Sequence, residues 1–264
     1  MQAPDQECRI RAVFFDVDGT LLSHGLNDVP KSAREAIKKL RGNGILTIVA
    51  TGRHMIEFSK LPISDIKFDR YLMLNGQLLL DSDLKVYAGT PIDKGEMEVL
   101  SRIFNAKKIP FVLIGADNRY INYVDDTVVR TQNETKGTVP EIGSYNGEDV
   151  YQILAFVPDK QKKMLDDLLD ECAVTSWNET GIDIIPKEGG KAAGMKRFIE
   201  ENGIDRSETM AFGDGENDIE MLEFAGIGVA MGNAPDPVKA AADYVTAPID
   251  DDGIAKALTK FGLI

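Results

Sequence analysis

Three short polar stretches carry residue types that can do chemistry, and each follows an apolar run. The first is Asp16-Val17-Asp18-Gly19-Thr20. Val13-Phe14-Phe15 ahead of it reads as a buried strand. The acids then fall at that strand's carboxyl end, where open α/β sheets bind their ligands. Asp16 and Asp18 are two residues apart. They share a side if the strand continues, and both can reach one centre if the chain turns. Carboxylates this close need a cation, a shared proton or water to offset their repulsion. Only oxygen ligands are on offer and no Cys/His cluster, which points to Mg2+. The competing reading makes both acids ordinary turn or capping residues.

The second stretch is Thr51-Gly52-Arg53, and the third is Gly213-Asp214-Gly215-Glu216-Asn217-Asp218. Lys191 opens a helix between them. If the strands are parallel in one sheet, these loops converge on one crevice. It would hold several carboxylates, a hydroxyl, an amide and a lysine, which is what phosphoryl transfer requires. Singly, each residue has a plainer reading. Thr51 can cap a strand end, Lys191 can be a solvated helix-start lysine, and Arg53 can pair with an acid. His54 reads as a surface or packing residue. Gly213-Asp214-Gly215 lacks the third glycine of a dinucleotide loop, and Asp218 stands there instead.

The elements that must position these residues alternate. Residues 31–43 have Ala33, Ala36, Ile37 and Leu40 at helical spacing, closed by Gly42 and Gly44. Residues 45–50 are a β-branched apolar run, hence a second buried strand. Strand, helix and strand make a right-handed βαβ unit with parallel strands. Residues 71–74, ending in Asn75-Gly76, are a third strand, and 78–80 with 85–88 suggest a hairpin. From about residue 91 the texture changes. A helix is expected over 94–107 and another over 160–172, with strands at 111–114, 119–124, 150–157 and 182–185. This mixture predicts an α+β insert. Alternation then returns: helix 192–202, strand 209–212, helix 219–225, strands 227–231 and 244–246, and short helices at 237–242 and 253–260. The acids Asp250, Asp251 and Asp252 read as the start of that last helix. The expected fold is therefore α/β, a doubly wound and mostly parallel sheet from residues 1–81 and 188–264, with an α+β cap domain inserted at 82–187.

Composition sets limits. The 264 residues carry a net charge of −13, with 43 acids against 30 bases, which argues against a nucleic-acid partner. A small anionic substrate stays possible, since a metal and a few cations reverse the potential within a pocket. Cys8 and Cys172 show no framework or zinc spacing and read as reduced thiols. Residues 1–11 have no apolar core of a signal peptide, and no run has membrane-spanning length, so a cytoplasmic protein is expected. The patterns at Asn133 and Asn178 are then chance glycosylation matches. The oligomeric state leaves no sign in the sequence.

Taken together and in order, Asp16-Val-Asp18-Gly-Thr20, Thr51-Gly-Arg53, Asn75-Gly76, Lys191 and Gly213-Asp214-Gly-Glu-Asn217-Asp218 resemble the haloacid dehalogenase superfamily of phosphohydrolases. More narrowly, the pattern looks like the Cof-type, capped sugar-phosphatase branch, and the resemblance covers the whole chain. It implies a Mg2+-dependent phosphatase acting on a small phosphorylated metabolite, with a sugar phosphate as the expectation. By that resemblance Asp16 is the nucleophile that becomes an aspartyl-phosphate. Asp18 is the general acid and then the base, and its backbone carbonyl also ligates the metal. Thr51, Gly52, Lys191 and Asn217 hold the phosphoryl group. Asp16, Asp18 and Asp214 form the metal set, with Asp218 behind them. Ala192 departs from the glycine the family usually has. The cap would close over the substrate and select it, with Tyr120, Trp177 and Asp183 as eligible side chains. A phosphomutase sharing the intermediate, a dehalogenase and a phospho-accepting receiver-like module are the alternatives. The receiver needs neither this length nor a cap.

Overall fold

The computed structural model describes residues 10–134, 138–157, 159–176 and 180–264. Cys8, Trp177 and the pattern at Asn178 lie outside the described residues. The strands in chain order are β1 (Ala12–Phe15), β2 (Leu46–Ala50), β3 (Arg70–Met73), β4 (Leu78–Leu80) and β5 (Val86–Gly89). They continue with β6 (Phe111–Ile114), β7 (Arg119–Ile121), β8 (Gln152–Phe156), β9 (Cys172–Ser176) and β10 (Gly181–Pro186). The last three are β11 (Thr209–Gly213), β12 (Ile227–Ala230) and β13 (Tyr244–Val245).

All four residues of β1 are buried, as a central parallel strand with both faces covered requires. The eight-stranded sheet has the order β13-β12-β11-β1-β2-β3-β4-β5. Pairing is parallel from β13 through β3, and β4 returns antiparallel to β3. Ala12, Phe14, Ile48, Ala50, Leu72 and Ala211 point one way, against Met195, Phe198, Met221 and Leu222 of helices Lys191–Asn202 and Ile219–Phe224. Phe14 meets Phe198 edge-on at 5.6 Å between ring centres. By the two-residue alternation of a strand, Phe15 and Phe212 face the other way, where they stack at 5.3 Å. Helices Lys31–Gly42 and Gly253–Lys260 pack on each other and bury Ile37, Leu40, Ile254 and Leu258. The fold is the doubly wound α/β type.

Chain contacts divide the molecule into two compact units, Met1–Ala88 with Gly190–Ile264, and Gly89–Gly189. The first junction falls later than the sequence reading of residue 82. The cause is the β3–β4 pairing, which keeps the following hairpin in the large sheet. The second unit has a five-stranded sheet, β7-β6-β8-β10-β9, in which every pairing is antiparallel. Met97, Leu100 and Phe104 of helix Lys94–Ala106 and Leu165 of helix Asp159–Asp166 pack on Phe111, Leu113, Ile153 and Ile184 of that sheet.

Two expectations change here. The helix expected over 160–172 stops at Asp166, and Cys172–Ser176 is strand β9, paired with β10. The buried carboxylate of Glu96 accepts the N–H groups of Asp170 and Glu171 at 2.9 and 2.8 Å, which satisfies that backbone outside a helix. Asp126–Glu134, unassigned from sequence, is a helix that buries Val128 and Thr131. No helix among the described residues is long and apolar enough to cross a membrane.

Candidate active site

Strand register brings the polar loops to one edge. Phe15 lies opposite Phe212 of β11 and Val49 of β2, so Asp16, Thr51 and Asp214 all follow at the carboxyl ends of adjacent parallel strands. Asp16 extends the sheet by donating its N–H to Phe212 O at 3.0 Å. The chain then bends at Gly19, whose φ of +84° belongs to the left-handed region. A Cβ there would lie 2.1 Å from Asp214 Oδ2, so glycine lets the first loop close onto the third. Thr20 completes that contact by donating its hydroxyl to Asp214 Oδ1 at 2.8 Å.

Lys191, at the start of its helix, is 1% exposed, which makes a solvated role untenable. Its ammonium donates to Asp16 Oδ1 at 2.5 Å and to Asp218 Oδ1 at 2.6 Å. The helix reaches this position because Gly194 packs on Gly76, where a Cβ would sit 2.8 Å from the Gly76 Cα. Asp218 Oδ2 accepts the N–H groups of Asp214 and Gly215, each at 2.9 Å. Both oxygens of Asp218 are therefore engaged.

Electrostatics follow from burial. Asp16 is pushed well above the usual carboxylate range by desolvation and then by the nearby Asp218 charge, with Lys191 opposing. Asp214 is pushed up to about 6 by desolvation, against the Thr20 hydrogen bond. Desolvation alone would lower the Lys191 ammonium, but Asp16 and Asp218 outweigh it and hold it above its ordinary value. Carboxylate oxygens of Asp16, Asp214 and Asp218 lie within 4.8 Å of one another. Three acids face one ammonium, so the cluster is short of positive charge, and its donors are all hard oxygens.

The Asp18 side chain goes elsewhere. Its two oxygens accept Nε and Nη2 of Arg53 at 2.6 and 2.7 Å. Its carboxylate is not part of the three-acid cluster, in which Asp218 stands instead. Thr51 is buried, and its Oγ1 accepts the Arg53 N–H at 3.2 Å, which leaves the hydroxyl proton available. Gly52 lies against the Asn75 side chain, and Asn217 Nδ2 donates to Asn75 Oδ1 at 3.1 Å. His54 is buried, and its Nδ1 accepts the Ile56 N–H at 3.1 Å, a cap and packing role. Asp250 accepts from Ser23 at 2.6 Å near the last helix.

Sequence reasoning missed Asn233. Its Nδ2 donates to Gly19 O at 2.9 Å and to Asp214 Oδ2 at 3.1 Å, and its Oδ1 accepts the Ile249 N–H at 3.0 Å. The signal was present: β12 is another parallel strand, and Gly232-Asn233 is the polar loop just after its carboxyl end. In the second unit, Tyr120 turns its ring to Phe104 and its hydroxyl to Glu148. Asp183 holds a buried oxygen without a hydrogen-bond partner.

With this geometry in hand, known proteins fall into place. The family model of haloacid dehalogenase-like hydrolases matches residues 13–258. YkrA of Bacillus subtilis (strain 168) is 33% identical over 258 residues, covering 96% of this chain and 98% of YkrA. BT1666 from Bacteroides thetaiotaomicron, described among phosphatases of the same superfamily, superposes with a TM-score of 0.90. It is 30% identical, covering 100% of this chain and 99% of that one. BT4131, described as a HAD subclass IIB sugar phosphatase, has a TM-score of 0.83 and 33% identity, covering 96% and 100%. The chain belongs to the haloacid dehalogenase-like hydrolases, and within them it is a phosphatase of the capped, Cof-type kind.

Proposed function

We propose that the protein is a Mg2+-dependent phosphatase that hydrolyses a small phosphorylated metabolite, a sugar phosphate being the favoured class, through an aspartyl-phosphate on Asp16. The observation that carries this reading is the group formed by buried Asp16, Lys191 and Asp218 with half-buried Asp214 at the carboxyl edge of the parallel sheet. The three acids fit a small hard dication: their oxygens are close, and their burial leaves negative charge uncompensated. Asp16 and Asp214, with the Asp18 backbone carbonyl, would hold Mg2+, and Asp218 would stand behind them. Bound there, Mg2+ would neutralise charge on the phosphoryl oxygens and on Asp16.

The chain's own residues then divide the work. An Asp16 oxygen attacks phosphorus, and the bond from phosphorus to the leaving oxygen breaks. Asp18 gives that oxygen a proton, then takes one from the water that cleaves the aspartyl-phosphate, so the carboxyl group ends as it began. Thr51, with a free hydroxyl proton, and the Gly52 N–H donate to the phosphoryl oxygens. Lys191 supplies a buried positive charge, and Asn217 a side-chain amide. The unit Gly89–Gly189 is proposed as the source of substrate choice.

The test is phosphate release from p-nitrophenyl phosphate and a panel of sugar phosphates, with and without Mg2+. Asp16→Ala should retain the fold and lose at least about 10³-fold in kcat. Full activity in that variant, or full activity in EDTA, would sink the assignment.

A further inference from the structure

Arg53 is left over from this scheme, and its geometry is specific. Two of its nitrogens clamp both oxygens of Asp18 at 2.6 and 2.7 Å, which fixes the carboxylate in rotation as well as in place. Each side chain is 32% exposed, so the pair contributes little to stability and remains open to a substrate. The Arg53 backbone is itself held on both sides. Its N–H meets Thr51 Oγ1, and its carbonyl accepts the Leu74 N–H at 3.2 Å. The Asn75 N–H holds the Thr51 carbonyl at 2.9 Å.

Leu74 and Asn75 pay for those two bonds with left-handed backbone, φ +52° and +55°, and Leu74 is fully buried. Non-glycine residues are strained in this region. The turn thus accepts strain in order to hold both ends of the Thr51-Gly52-Arg53 loop. We infer that Arg53 is a positioning residue for proton transfer: its fork holds Asp18 where Asp18 meets the leaving oxygen. The inference rests on the phosphatase reading above.

A positioning role predicts an effect that depends on the leaving group. An alkyl phosphate must be protonated as it departs, whereas p-nitrophenolate leaves without help. Arg53→Ala should lower kcat/KM for an alkyl monophosphate about 10²-fold or more, the usual worth of a general acid, and for p-nitrophenyl phosphate by a few-fold at most. Arg53→Lys keeps the charge but lacks the fork, so it should behave like Arg53→Ala, and it carries the test if the alanine variant fails to fold. Asp18→Asn should show the same selectivity, and adding Arg53→Ala to it should cost nothing more, because the two act as one unit. Equal losses on both esters would make Arg53 a phosphoryl contact or a structural residue and overturn the inference. So would unimpaired alkyl turnover in Arg53→Ala, or its rescue by lysine. Wild-type protein inert toward both esters would overturn the phosphatase reading, and this inference with it.

Discussion

Replacing Asp183 by asparagine should stabilise the protein, and more so as pH rises. Asp183 lies in β10 opposite Leu154 of the neighbouring β8, two residues along from Gln152. Asp183 Oδ1 and Gln152 Oε1 are both buried without a hydrogen-bond partner. Burial pushes the carboxyl up to about 7, with only a Gln152 hydrogen bond opposing it. A carboxyl that holds its proton more tightly in the folded state destabilises folding as pH rises. The cost is absent below the unfolded value, near 3.8, and complete once pH passes about 7. At about 1.4 kcal/mol per pH unit the full cost is about 4 kcal/mol, of which about 2 kcal/mol accrues between about pH 5.5 and about pH 8. Asparagine carries no such charge, and every other group titrates alike in both proteins. The stability of Asp183→Asn minus that of wild type should therefore grow by about 2 kcal/mol over that interval. Urea unfolding at each pH is suited to this. A difference that stays constant with pH would refute the reasoning.

Lys191→Met should destabilise the first unit by about 3–5 kcal/mol, because it strands Asp16 and Asp218 beside each other without their shared cation; chemical denaturation reads this directly. Gly19→Ala should cost at least about 10²-fold in kcat, because the new Cβ would collide with the Asp214 carboxylate, while a merely flexible loop would tolerate it. Asn233→Ala frees one oxygen of Asp214 and should weaken Mg2+ binding about 10–100-fold in calorimetry, with Asn233→Gln no substitute at that short reach. Mg2+ affinity of the wild type should also fall as pH drops through about 6, where Asp214 takes up its proton, and a flat profile to about pH 5 would contradict the Asp214 assignment.

Much of the alternating fold was legible because a doubly covered parallel strand is nearly all apolar, as Val13-Phe14-Phe15 is and the run at 45–50 is apart from Thr47. The inserted unit was harder. The polar Asp126–Glu134 helix lacks a broad apolar stripe, and the Cys172–Ser176 strand adjoins a helical pattern with no glycine or proline between them. In the site, Asp16 and the loop with Asp214 and Asp218 could be picked out because they follow apolar runs, and Lys191 because it opens a helix after Gly190. Lys191 could equally have been a solvated lysine, and its burial comes from tertiary packing, in which its helix approaches Gly76 closely at Gly194.

The local order of residues determined which loops end in acids, which strands are buried and which chemistry those oxygens suit. Those properties depend on residue type and on neighbours within a turn or a strand. Tertiary structure alone decided how the carboxylates are shared out: Asp18 to Arg53, Asp16 and Asp218 to Lys191, and Asp214 to Thr20 and Asn233. Those partners are 19 to 194 residues apart in the chain, and no local pattern encodes a distance that strand register must set.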